Sequence, residues 1–235
     1  MISIIGVIGV FPIVIFFGIC FGLTVRSYVQ NPNRIKIYYM IWTLSVALIY
    51  ISWGARVLFI PQFEKETSIL YPFWALSYAF GGLALISLDF ATLNLTKNKE
   101  SKIMKYIKII IIINYFGILV VLLMGFEMEL IVFMDVSDLI IKDIYIYVFF
   151  TLSILFYISF PNYIFISYLI KSPEKDSFAY KRVRIIELGI LLFTVGLAFD
   201  GMRFPSNIGI LIIRIIIAIG GLITMKGFLM KPPSK

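Results

Sequence analysis

Seven charged side chains interrupt or edge the apolar stretches of this chain: Arg56, Asp89, Glu187, Asp200, Arg203, Arg214 and Lys226. A charge in a lipid-facing run is costly, so such residues turn into a helix bundle and find partners there. Arg214 lies within ILIIRIIIAIG, where its guanidinium cannot shed its proton. Asp200 is the carboxylate expected to pair with it, in direct hydrogen-bond range. Three guanidinium groups, Arg56, Arg203 and Arg214, face that single carboxylate, and two readings accommodate the surplus. In one, Asp200 and Arg214 form a structural bridge while Arg56 and Arg203 snorkel. In the other, Arg214, Asp200, Arg56, Trp53 and Arg203 form a site for an anion or a carboxylate-bearing ligand. Nearer the opposite ends of their segments, Asp89, Glu187 and Lys226 are either interfacial salt-bridge groups or the titrating groups of a proton or cation relay.

Absences narrow the chemistry. The sequence has no His and one Cys, Cys20, so zinc, haem and copper lose their usual ligands. The same count excludes a Ser-His-Asp triad and a Cys-His pair. The expectation is no enzyme, no metal and no cofactor. One cysteine forms no intrachain disulfide.

The elements that must position these residues follow from composition. Of 235 residues, 61% are hydrophobic and 14% charged, outside the range of soluble domains. Seven apolar segments approach the roughly 20 residues that a helix needs to cross a bilayer. They cover about 2–25, 37–60, 69–95, 106–126, 144–170, 185–204 and 207–230 of one domain spanning 1–235. The fold class is therefore all-α, an integral membrane bundle of seven helices. Sixteen of the 21 basic residues fall in the stretches after spans one, three, five and seven. Lys and Arg concentrate on the cytoplasmic side, which puts the N-terminus outside and the C-terminus inside a multi-pass protein of the cell membrane. The net charge of +8 is spread over those four stretches, so membrane lipid is the expected partner and nucleic acid is not.

Finer expectations concern faces and bends. Gly82, Leu85, Asp89, Thr92 and Thr96 recur at helical spacing and should face inward, as should Gly189, Phe193, Gly196, Asp200 and Arg203. Arg56 shares a face with Ser45, Ile49 and Ser52; Arg214 shares one with Asn207, Ala218 and Gly221. Gly18 and Gly22 form GxxxG and predict close packing, with a homodimer the further option; Gly220 and Gly221 predict a close neighbour for span seven. Pro12 and Pro161 should kink spans one and five. The stretch LIVFMDVSDLIIKD, Leu130 to Asp143, is read as an amphipathic turn on the outer surface, and Ser172 to Arg184 as the other loop long enough for structure.

Seven spans with an external N-terminus is also the topology of microbial rhodopsins and G-protein-coupled receptors. Microbial retinal proteins attach their chromophore through a Lys in the seventh span, where this chain has Arg214, which forms no Schiff base. The basic Asn-Pro turn and aromatic span of RSYVQNPNRIKIYYMIWTL, Arg26 to Leu44 with Trp42, together with the seven-span plan, resemble the seven-transmembrane sensor region of prokaryotic histidine kinases. The kinase domain of those proteins has no counterpart here. The resemblance implies a receptor-like sensor that signals through a cytoplasmic or membrane partner. The alternatives are a small transporter or proton-coupled channel using Asp89 and Glu187, and a membrane scaffold or assembly subunit.

Overall fold

The computed structural model describes residues 9–59, 67–95, 102–125, 131–135, 138–141, 143–200 and 207–230. These form seven helices and one hairpin: α1 (Val10–Gln30), α2 (Arg34–Phe59), α3 (Thr67–Leu95), α4 (Lys102–Met124), β1 (Ile131–Asp135), β2 (Asp138–Ile141), α5 (Ile144–Lys171), α6 (Phe178–Asp200) and α7 (Asn207–Leu229). Six of them, all but α6, are long and apolar enough to cross a membrane, which makes this a multi-pass helical membrane protein. The run of α6 between Glu187 and Asp200 is shorter than a full span, and Lys181, Arg182 and Arg184 crowd its start.

Several helix ends depart from the hydropathy boundaries because polar caps extend the helices. α1 runs past Val25 to Gln30, where Asn31 N–H bonds the carbonyls of Ser27 and Tyr28 before Pro32 stops the helix. Lys36 Nζ donates to the same Ser27 carbonyl at 2.7 Å. Asn33 Oδ1 accepts from Ile35 N–H at 3.0 Å and starts α2 at Arg34, before Ile37. Ser177 Oγ accepts from Tyr180 N–H at 3.2 Å, so α6 begins at Phe178 and the Ser172–Arg184 loop loses its second half.

Leu130 to Asp143 is not an amphipathic turn. Ile131 pairs with Ile141 and Phe133 with Leu139 in an antiparallel hairpin, with an irregularity between Phe133 and Asp135. A run rich in Ile, Val and Phe prefers extended backbone over helix. This hairpin is the exception to an otherwise all-α fold. Asp143 then caps α5, its Oδ1 accepting from Ile146 N–H at 2.9 Å.

Side-chain pairings show that consecutive helices run antiparallel: Val10 lies against Gly54, Tyr38 against Phe90, Tyr115 against Gly82, and Asn114 against Ser153. Two cores result. One gathers α1, α2, α3, α5, α6 and α7 around Phe17, Trp42 and Phe193, whose rings meet at 5.0–6.2 Å between centroids. The other joins α3, α4 and α5 around Tyr71, Leu85, Ile111 and Tyr157. α3 belongs to both.

Glycine sets the closest approach. A Cβ on Gly220 would stand 2.6 Å from the Phe193 backbone nitrogen, and one on Gly196 2.6 Å from Ile217 Cγ1. Gly189 likewise abuts the Thr224 backbone, so α6 and α7 are joined along a glycine seam. Gly221 receives the Phe17 ring as expected. Gly18 and Gly22 are not packed in the bundle: both are exposed, and nothing lies within 4 Å of a Cβ built on either. Pro12 falls in the first turn of α1, where its missing N–H has no intrahelical partner to lose, so it causes no kink. Pro161 is inside α5, as is Pro72 inside α3.

Candidate functional site

Arg214 stands on the second turn of α7 and is 4% exposed, pointing into the bundle. Its Nε lies 3.5 Å from Asp200 Oδ1 at the end of α6. The two pair as expected, but at an ion-pair distance rather than in direct hydrogen-bond range, because other groups share both partners. Tyr50 on α2 donates its hydroxyl to Asp200 Oδ2 at 2.9 Å. The guanidinium carbon sits 4.3 Å from the Trp53 ring centroid and 5.8 Å from that of Tyr50, within cation–π range. Three helices therefore converge: α6 supplies the carboxylate, α7 the cation and α2 two aromatic faces.

Tyr50 was not among the expected site residues. Its spacing to Trp53 carries the signal, since residues three apart share a helix face. The face chosen from sequence, Ser45, Ile49, Ser52 and Arg56, stressed the charge instead. Ser45 and Ser52 are buried. Arg56 lies within α2, but its side chain is outside the described residues, as is the whole of Arg203. Arg214, Asp200 and Trp53 are brought together. The inward stripes also hold: Leu85, Asp89 and Thr92 are buried, as are Gly189, Phe193 and Gly196, while Thr96 lies outside the described residues.

The second group of charges is not assembled into a salt bridge. Asp89 is 0% and Glu187 6% exposed, and none of their four carboxyl oxygens has a hydrogen-bond partner among the described residues. Lys226 is exposed at the end of α7. Arg182, one turn before Glu187 on α6, gives its Nε and Nη2 to the carbonyls of Gly227 and Phe228 at 3.0 and 2.9 Å, closing the C-terminus of α7.

A third polar group, on α4 and α5, escaped the sequence analysis because Asn, Ser and Tyr are scattered singly in apolar runs. The Tyr157 hydroxyl donates to Asn114 Oδ1 at 2.6 Å, and Asn114 Nδ2 donates to Ser153 Oγ at 2.9 Å. Asn114 and Ser153 form the polar part of a cavity of about 190 Å³, otherwise walled by Ile110, Phe149, Leu152 and Phe156. No group of three or more His, Cys, Asp or Glu among the described residues could hold a metal ion. Comparison with protein-family models, curated proteins and solved structures gives no match to this chain.

Proposed function

We propose that this chain is a receptor-like sensor of the cell membrane that binds a small anionic or carboxylate ligand at Arg214. It then signals through a cytoplasmic or membrane partner, or through a second copy of itself. The observation that supports this most is the Arg214–Asp200 separation of 3.5 Å. Charge-assisted N–H···O bonds settle at about 2.7–2.9 Å, so this pair is looser than its charges allow. Tyr50 already holds Asp200 from the other side. A ligand carboxylate can therefore take the guanidinium while Asp200 stays hydrogen-bonded to Tyr50. Trp53 keeps the guanidinium plane in place during the exchange. The exchange would loosen α6 from α7 at the end where the pair joins them, and that displacement is the signal.

The sensor reading also rests on the resemblance of Arg26 to Leu44 and of the seven-span plan to histidine-kinase sensor regions. In it α6 is the remaining span, the N-terminus is external and the C-terminus cytoplasmic. A reporter after Lys235 should read cytoplasmic and a tag before Met1 external; opposite readings at both ends would end that topology.

Binding is tested on the purified chain in lipid nanodiscs, with acetate, succinate and inorganic phosphate as probes. At least one should raise the melting temperature in a concentration-dependent way. Arg214→Met should weaken that effect about tenfold or more, the loss of one charge-assisted contact, and Arg56→Gln should weaken it less. If no probe shifts the unmodified protein, or Arg214→Met keeps the full shift, the ligand site is not at Arg214.

A further inference from the structure

Asp89 lies on α3, which contributes to both cores, and has no exposed surface. Neither of its oxygens receives a hydrogen bond, and no Lys or Arg forms an ion pair with it among the described residues. The neighbouring hydroxyls on α3 donate elsewhere: Ser87 to the Leu83 carbonyl at 2.7 Å and Thr92 to the Leu88 carbonyl at 2.8 Å. An ionised carboxylate cannot persist in such a place without a compensating positive charge, and a metal-binding grouping is absent from the described residues. The smallest group that neutralises it is a proton.

Tyr157 on α5 belongs to the same core as Leu85, Ile86 and Phe90 of α3. Its hydroxyl faces two acceptors of α4, Asn114 Oδ1 at 2.6 Å and the Ile111 carbonyl at 3.1 Å, so it donates away from Asp89. Through Asn114 the chain continues to Ser153 and the cavity between α4 and α5. Other titratable groups that the neighbouring helices bring towards α3 are Tyr38 and Tyr39 of α2, Tyr115 of α4, and Lys105 and Lys108 at the start of α4.

We propose that Asp89 is a proton-binding site of the bundle, buried without a partner side chain among the described residues and neutralised by the proton that it holds. The site is separate from Arg214 and does not depend on ligand binding there.

Infrared spectroscopy of the full chain in nanodiscs at neutral pH tests this. A carbonyl band of a protonated carboxylic acid should be present, should move in D2O, and should move again when aspartate is labelled with carbon-13 at its carboxyl. Asp89→Asn should remove that band. The isotope experiment needs no variant, so absence of an aspartate band overturns the proposal even if Asp89→Asn fails to fold. Absence of any aspartate-dependent acid band overturns the proposal, as does its persistence in Asp89→Asn. Loss of the band on adding sodium or potassium would assign the site to an alkali cation and also overturn it.

Discussion

Arg214 and Asp89 are withdrawn from the surface to nearly the same degree, 4% and 0% exposed, yet their surroundings differ in kind. Around Arg214 the chain has gathered a carboxylate, a phenol and an indole from two other helices. Around Asp89 it has gathered no hydrogen-bond donor among the described residues, and the hydroxyls of Ser87 and Thr92 on the same helix donate to its own carbonyls. The difference tracks what each charge permits. A guanidinium keeps its charge in any protein environment, so burying it requires building an answer to it. A carboxyl has a neutral form and can be buried with no partner side chain at all. The same contrast separates Arg182, which is spent on two carbonyls of α7, from Glu187 one turn later, which has no partner among the described residues.

Substitutions can break this comparison in order of size. Asp200→Asn removes the counter-charge and leaves Arg214 buried, which should cost about 3–5 kcal/mol in reversible unfolding from mixed micelles. Adding Arg214→Met to it should restore most of that loss, since replacing both buried partners is often near neutral; a double variant as unstable as Asp200→Asn would contradict the pairing. Trp53→Leu should cost about 2 kcal/mol through lost cation–π contact and buried area. Tyr50→Phe deletes one hydrogen bond to a charged acceptor, about 1.5 kcal/mol, and should further destabilise Trp53→Leu without simple additivity. Asp89→Asn should be the mildest, within about 0.5 kcal/mol, because the amide matches the neutral acid in shape. If Asp89→Asn costs as much as Asp200→Asn, Asp89 carries a charge with a partner, and the contrast between the two regions fails.

What the sequence made legible follows from which signals are one-dimensional. Segment length and apolarity located every helix, because a membrane span must be long and must satisfy its own backbone. The three- and four-residue spacing of Leu85, Asp89 and Thr92 identified a buried face for the same reason. The pairing of Arg214 with Asp200 was legible since a deep cation has few available counter-charges. Tyr50 was hidden, because a tyrosine in an aromatic-rich span has no distinctive signature until the fold places it beside Asp200. The hairpin was missed because amphipathic and β-prone patterns overlap over short apolar runs. Gly18 and Gly22 meet no neighbour within the bundle among the described residues, because a small-residue pattern gives close approach only where a helix of the same chain arrives.

The glycine seam between α6 and α7 has a mechanical meaning. Backbones that touch at Gly189, Gly196 and Gly220 cannot bend independently, so the two helices tilt as one beam. Arg214 is loaded near one end of that beam, and Lys226 lies twelve residues further along α7, about 18 Å away at 1.5 Å per residue. A tilt of about 5° about Arg214 would sweep the far end by roughly 1.6 Å, the scale of helix displacements that switch other proteins. The Arg182 contacts that tie the ends of the two helices together would carry the same sweep to both. In the sensor reading, stiffness given by the smallest side chains would turn a sub-ångström change in one ion pair into a movement large enough for a neighbour to read.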